Sequence, residues 1–326
     1  DGRLQLIGWE GTVSIDNQAV TASVSGSVSI GSHNGLTVHV DGFIDQAAHS
    51  ANLTGTVNSW HPLPSLAPSL KLPSVRGQIT LPEHGPVIVD LDAVKGASPA
   101  PPVALFDGAL QLVDWVGEVE LDGEDVTTSV SGQVLIGGSS GLVADVVGSV
   151  DSASRTANLT ASVASWNPLP DCAPALTLPA MTGDIKMSEA NGERHVSVDL
   201  QPASTSAATS AKNISLFDGS FKLFDWTGGL KMIDSKVTAT VAGGLVVGGS
   251  HGLSATMTGV VDMATRSATL NASVAAWTPM PKVAPALMLP PMGGDIVLSD
   301  AGDKSEVSMN LAPAAGASST ANDVSL

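Results

Sequence analysis

Apolar and polar positions alternate along most of this chain, and one stretch shows the pattern clearly. In SANLTGTVNSW (50–60), Leu53 and Val57 fall on one side of an extended chain, and Asn52, Thr54 and Thr56 on the other. The stretch returns as TANLTASVASW (156–166) and, altered, as SATLNASVAAW (267–277). Around the first of these lie further alternating runs: RLQLIGW, GTVSI, AVTASVSGSVSIG, GLTVHVDGFID, RGQITL and PVIVDLD, separated by Gly, Pro and Asn. Short runs of period two with no 3.6-residue pattern predict an all-β chain. Their number and spacing imply an antiparallel, immunoglobulin-like β-sandwich, with a small barrel as the alternative.

The whole chain is a tandem array. DGRLQLIGWEG, DGALQLVDWVG and DGSFKLFDWTG open three copies at Asp1, Asp107 and Asp218. Trp9 and Trp60, Trp115 and Trp166, and Trp226 and Trp277 are each 51 residues apart, so length varies only at the copy ends. A period of 106 to 111 residues is too long for a solenoid repeat and suits a folding domain. The expected organisation is therefore three β-sandwich domains in a linear array, 1–106, 107–217 and 218–326. Their ends, 93–106, 201–217 and 312–326, are rich in Ala, Ser, Thr and Pro and read as linkers. The first two linkers finish in ALF or SLF, a triplet expected to dock on the following domain.

Composition removes several classes of function. The 14 Lys and Arg against 31 Asp and Glu give a net charge of −17, which repels nucleic acid and anionic membranes. No apolar run approaches the roughly 18 residues of a membrane span. With 43% hydrophobic residues the copies can bury cores, and Cys172, the one cysteine, excludes any intrachain disulfide. Cys172 takes the place of Leu66 and Val283 in the other copies and reads as a small buried apolar residue.

Candidate chemistry is sparse. An enzyme needs a nucleophile, base or metal in a fixed cluster. None of the seven histidines, His33, His39, His49, His61, His84, His195 and His251, recurs at one place in all copies, so no enzyme is expected. Asp45, Asp151 and Asp262 do recur, in DQAAHSA, DSASRTA and DMATRSA, and read as turn caps, with His49, Arg155 or Arg266 within reach. The turns at Asp45, Asp151 and Asp262 each offer one carboxylate where calcium wants six or more oxygens, and no multi-carboxylate loop appears at the domain junctions marked by Asp1, Asp107 and Asp218, so no cofactor is expected. Trp9, Trp115 and Trp226 are expected to pack in the core or at a strand edge. Trp60, Trp166 and Trp277 precede Pro-X-Pro and are expected to pack beneath the proline-rich loop.

The motif that remains is the sequon Asn-X-Ser/Thr, which accepts an N-glycan in secreted proteins. It occurs at Asn52, Asn158 and Asn271 in the repeated strand, and again at Asn213 in the second linker. Asn271 lies two residues further along its strand than Asn52 and Asn158, and a shift of two keeps the outward face. SPAPP (Ser98–Pro102) and the repeated Ala-Pro at 67–68, 173–174 and 284–285 resemble the sequences that algal and plant wall glycoproteins hydroxylate and glycosylate on proline. That resemblance implies modification at Pro99, Pro101 and Pro102.

The expected function is a structural repeat unit of an extracellular or cell-surface glycosylated fibre, associating head to tail. The alternative is a multivalent adhesin or carbohydrate-binding repeat. Ser325-Leu326 at one end and Asp1-Gly2 at the other read as a copy boundary lacking one residue, so the chain is expected to be a window of a longer array, or one subunit of a head-to-tail fibre whose neighbour supplies the next Asp-Gly, its ends at opposite poles.

Overall fold

A computed structural model describes residues 4–16, 19–30, 36–45, 50–64, 66–81, 87–122, 125–138, 141–151, 154–168, 176–203, 214–216, 221–248, 252–262, 267–279, 282–283, 287–300 and 305–314. These residues form twenty strands, one short 3-10 turn and no α-helix. The first copy supplies β1 (Leu4–Asp16), β2 (Ala19–Ile30), β3 (Leu36–Asp45), β4 (Ser50–Val57), β5 (Val75–Leu81) and β6 (Ile88–Ala93). The second supplies β7 (Val103–Leu105), β8 (Leu110–Asp122), β9 (Asp125–Ile136), β10 (Leu142–Asp151), β11 (Thr156–Val163), β12 (Met181–Ala190) and β13 (Glu193–Pro202). The third supplies β14 (Ile214–Leu216), β15 (Phe221–Ile233), β16 (Lys236–Val247), β17 (Leu253–Asp262), β18 (Ser267–Val274), β19 (Met292–Asp300) and β20 (Ser305–Pro313).

The all-β expectation holds, and the strands pair antiparallel. Two compact units share the chain: Asp1–Gly138, Val143–Ala161 and Asp184–Ser197 in one, Ser139–Leu142, Ser162–Gly183 and Val198–Leu326 in the other. In the first unit β1 to β6 pair in sequence order, and β6 continues onto β8 and β9. In the second, β13 pairs with β15, and β15 to β20 follow in sequence order. Most neighbours in sequence are thus neighbours in the sheet. Asn191-Gly192 between β12 and β13 has φ of 56° and 83°, the two left-handed residues that match a hairpin turn to strand twist.

Alternation in the sequence becomes alternation in burial. Leu142, Ala144, Val146 and Val150 of β10 are buried while Val143, Asp145 and Val147 between them are exposed. The buried face needs a cover, and the proline-rich segments help to supply it. Trp60 and Leu72 form an isolated antiparallel bridge, repeated at Trp166–Leu178 and Trp277–Leu289, which closes the intervening segment into a loop. Leu63, Leu66, Ala67, Leu70 and Leu72 of the first loop are buried, as is Trp60 at its base.

The other tryptophans sit on a repeated bulge. Register slips between Ile7 and Glu10, Val113 and Val116, and Phe224 and Thr227. The residue before each ring, Gly8, Asp114 or Asp225, is left-handed at φ 60°, 55° or 53°. An extra left-handed residue at a bulge re-aims the side chain that follows, and here the indole lies over a glycine of the neighbouring strand. A Cβ on Gly26 would come within 3.0 Å of Trp9, one on Gly132 within 2.5 Å of Trp115 and one on Gly243 within 2.6 Å of Trp226. Trp115 Nε1 donates to the Gln133 carbonyl at 2.9 Å and Trp226 Nε1 to the Gly244 carbonyl at 3.1 Å. The expected core role of these rings is met most fully at Trp115 and Trp226, which are buried; Trp9 is half-buried.

Consecutive copies meet edge to edge within each unit. Leu91 stands opposite Val119, Asp90 opposite Glu120 and Val89 opposite Leu121. Gly117 of the second copy lies under Leu72 and Trp60 of the first, and Gly228 of the third under Leu178 of the second. The docking expected of ALF and SLF is seen one residue earlier: β7 pairs with β8 through Val103–Leu112 and Leu105–Leu110, and β14 with β15 through Ile214–Leu223 and Leu216–Phe221, while Phe106 lies in the turn after β7 and Phe217 outside the described residues. Residues 93–106 are therefore more than a spacer. Ala100 and Val103 are buried, and the Ala100 N–H donates to the Trp115 carbonyl at 3.2 Å, because alanine is small enough to seat between exposed prolines.

The Asp90–Glu120 pair places like charges directly opposite one another at the first junction. At the second junction Lys231 holds the place of Glu120 and reaches Asp199 at 3.7 Å. Glu120→Lys should therefore raise stability by about 0.2–1 kcal/mol, the usual range for cross-strand charge pairs. Thermal unfolding at low salt checks the sign, and a lower midpoint would contradict the pairing.

Candidate functional site

The sequon face is built by strand alternation. In β4, Asn52 is exposed between buried Ala51 and Leu53; in β11, Asn158 is exposed between Ala157 and Leu159; in β18, Asn271 is exposed between Leu270 and Ala272. All three asparagines project away from the core, as the two-residue shift of the third sequon required. Thr160 and Ser273, the hydroxyl residues of the second and third sequons, are exposed as well, and Thr54 is half-buried. Asn213 lies outside the described residues.

Each side of the sequon strand carries a neighbour in register. Phe43 and Thr80 flank Asn52, and Thr258 and Asp295 flank Asn271. Phe43 is 66% exposed, an uncovered aromatic ring on the outward face beside the sequon. Val260, 48% exposed, pairs with Thr269, two residues from Asn271 on the same face. Sequence alternation alone placed Phe43 on this face, but its position opposite Asn52 depends on the β3–β4 register.

Such proximity of β3 and β4 is possible because the sheet has no side chain at Gly42. A Cβ there would overlap the Asn52 carbonyl oxygen, and the same holds for Gly148 against Asn158 and Gly259 against Thr269. This repeated glycine holds the sequon strand tight against its neighbour. Its signal in the sequence is a glycine three residues before each of Asp45, Asp151 and Asp262.

Pro99, Pro101 and Pro102 are exposed, so the positions expected for hydroxylation are accessible. Asp151 acts as the expected turn cap: its Oδ1 accepts from the Ser154 N–H at 3.1 Å and its Oδ2 from the Ser154 hydroxyl at 2.6 Å. Arg155, at φ 56°, reaches across to Glu189 Oε1 at 2.9 Å and ties this turn to β12. Asp107 is exposed in the left-handed turn between β7 and β8. Asp1, Asp218, Cys172, His33, His49, His84, His251 and Arg266 lie outside the described residues.

Among the described residues, no three His, Cys, Asp or Glu side chains converge as a metal site would require. His39 lies 3.6 Å from Asp41 and His195 4.0 Å from Glu193, both at the surface, and His61 Nδ1 is 3.0 Å from the Leu70 carbonyl inside its own loop. No helix among the described residues is long and apolar enough to cross a membrane. Comparison with protein-family models, with curated proteins and with solved structures finds no match.

Proposed function

We propose that this chain is a structural, glycan-coated repeat unit of an extracellular or cell-surface filament, without catalytic activity. The observation that carries the reading is the outward placement of Asn52, Asn158 and Asn271 on the same strand of three copies. A sugar on Asn52 would lie over Phe43, and one on Asn271 near Val260, so glycans would cover apolar side chains that are otherwise in water. Glycans would also hinder lateral pairing of sheet surfaces and slow proteolysis.

The three copies, 1–106, 107–217 and 218–326, are the building blocks of this array. Their alternation suits the immunoglobulin-like sandwich, while sequential pairing suits an up-and-down meander better than the Greek key that a sandwich of that kind uses. An adhesin would instead present one exposed aromatic or acidic pocket at matching places in each copy. Phe43 has Ser149 and Val260 at its equivalent positions, and Trp60, Trp115, Trp166 and Trp226 are buried, which favours the scaffold.

Intact mass of protein from its native source, before and after enzymatic removal of N-glycans, tests the proposal. The expected result is a large mass loss, with Asn52, Asn158, Asn271 and Asn213 converted to aspartate at the released sites. No mass change at those asparagines would sink it.

A further inference from the structure

We propose that Phe43 is the binding residue for the sugar on Asn52. The first N-acetylglucosamine packs its C–H face on the phenyl ring and so becomes a stabilising part of the first copy. The inference deepens the glycan reading above and rests on it. It gives one of the three strand sugars a structural role that the other two lack.

A single exposed apolar side chain needs no explanation by itself. What sets Phe43 apart is its register. β3 is paired on both sides, by β2 and β4, so the exposure of the ring does not come from an open edge. Ser23 stands opposite Phe43 on β2 and Asn52 opposite it on β4. Asp41 lies two residues along β3 on the same face, with Ser25 and Thr54 opposite it in turn. All of these neighbours are polar and none is large enough to cover a phenyl ring. A sugar on Asn52 is.

Residues directly opposite on one face of an antiparallel pair have Cβ atoms about 4.5–5.5 Å apart, so the phenyl and the first sugar ring rise side by side from the sheet. Gly42 favours the approach, since a Cβ there would overlap the Asn52 carbonyl oxygen. On its other flank Asn52 has Thr80, a short and half-buried side chain, so the sugar finds an aromatic surface on one side only. A pyranose chair presents several C–H bonds on one face. Their slightly positive hydrogens are attracted by the negative face of the phenyl ring, and the apolar area of both leaves water.

The other copies lack this arrangement. Ser149 takes the place of Phe43 in the second copy, so the sugar on Asn158 has no ring at the equivalent position. In the third copy Val260 stands opposite Thr269, and the shifted Asn271 is flanked by Thr258 and Asp295. Val260 is diagonal to Asn271 and has no aromatic face.

Thermal unfolding of the full chain carrying one sugar at a time tests this. The chain is secreted from eukaryotic cells in three forms, each keeping one of Asn52, Asn158 and Asn271, with the other sequons removed by Asn→Gln. An endoglycosidase then trims every glycan to a single N-acetylglucosamine. Each form is compared with the identical chain made in bacteria without sugars. The sugar on Asn52 should raise the unfolding midpoint by about 2–4 °C, and those on Asn158 and Asn271 by less than about 1 °C. Phe43→Ser, which installs the residue of the second copy, should abolish the rise at Asn52 and leave the sugar-free midpoint within about 1 °C. Proton NMR of the Asn52 form should show sugar C–H signals shifted upfield by the ring, and the shift should vanish in Phe43→Ser. An occupied Asn52 with no rise, a rise that survives Phe43→Ser, or equal rises at all three sites would each overturn the inference and leave the glycan reading standing. Intact mass showing Asn52 unoccupied would overturn both at that site.

Discussion

Trp115→Ala should destabilise the protein by about 3–5 kcal/mol, the range for removing a large aromatic from a packed core. Trp115 is fully buried, and no smaller side chain can fill its place. The left-handed bulge at Asp114 aims the ring across the sheet, and Gly132 keeps the space beneath it free of a side chain. Loss of the indole leaves a void over Gly132 and frees the Gln133 carbonyl from its 2.9 Å hydrogen bond, so transfer, cavity and polar terms all have the same sign. Equilibrium urea unfolding followed by circular dichroism measures the effect. A cost below about 1 kcal/mol would mean that the ring does not contribute to the core as its burial implies.

The second large effect concerns two adjacent glycines that the sequence treats alike. Gly293→Ala should be nearly neutral, because its added Cβ meets only the Ala272 carbonyl at 3.7 Å. Gly294→Ala should cost about 1–3 kcal/mol or more, as overpacking does in a well-ordered interior. Its Cβ would overlap the Asn310 carbonyl oxygen on β20, and carbon and oxygen need about 3.3 Å between them. Relief requires two paired strands to separate, which disturbs the ladder from Met292–Pro313 to Asp300–Ser305. The same glycine recurs as Gly77 against Asp90 and Gly183 against Asp199, so the constraint belongs to the repeat and not to one site. Thermal unfolding of both variants side by side provides an internal control, and equal effects would contradict the assigned β19–β20 register.

The sequence by itself determined the three copies, the β character and the outward face of the three sequons in the repeated strand. These properties are local. Period-two alternation sorts side chains onto two faces whatever the neighbouring strand is, so Asn52, Asn158 and Asn271 were legible as exposed before any pairing was known. The linker triplets were legible for the same reason, as apolar side chains in a polar stretch with nowhere else to go. Tertiary structure alone decided which strands lie side by side. The sandwich expectation came from strand number and spacing, and neither of these distinguishes a Greek key from a meander. Only tertiary structure placed β6 against β8, set Leu72 over Gly117, and seated Ala100 between exposed prolines. Each is a pairing between residues far apart in the chain, and alternation is the same for every register that keeps its parity. What selects one register is the space left by a missing side chain, at Gly132 under Trp115 or Gly294 beside Asn310, and that space exists only once both strands are in place.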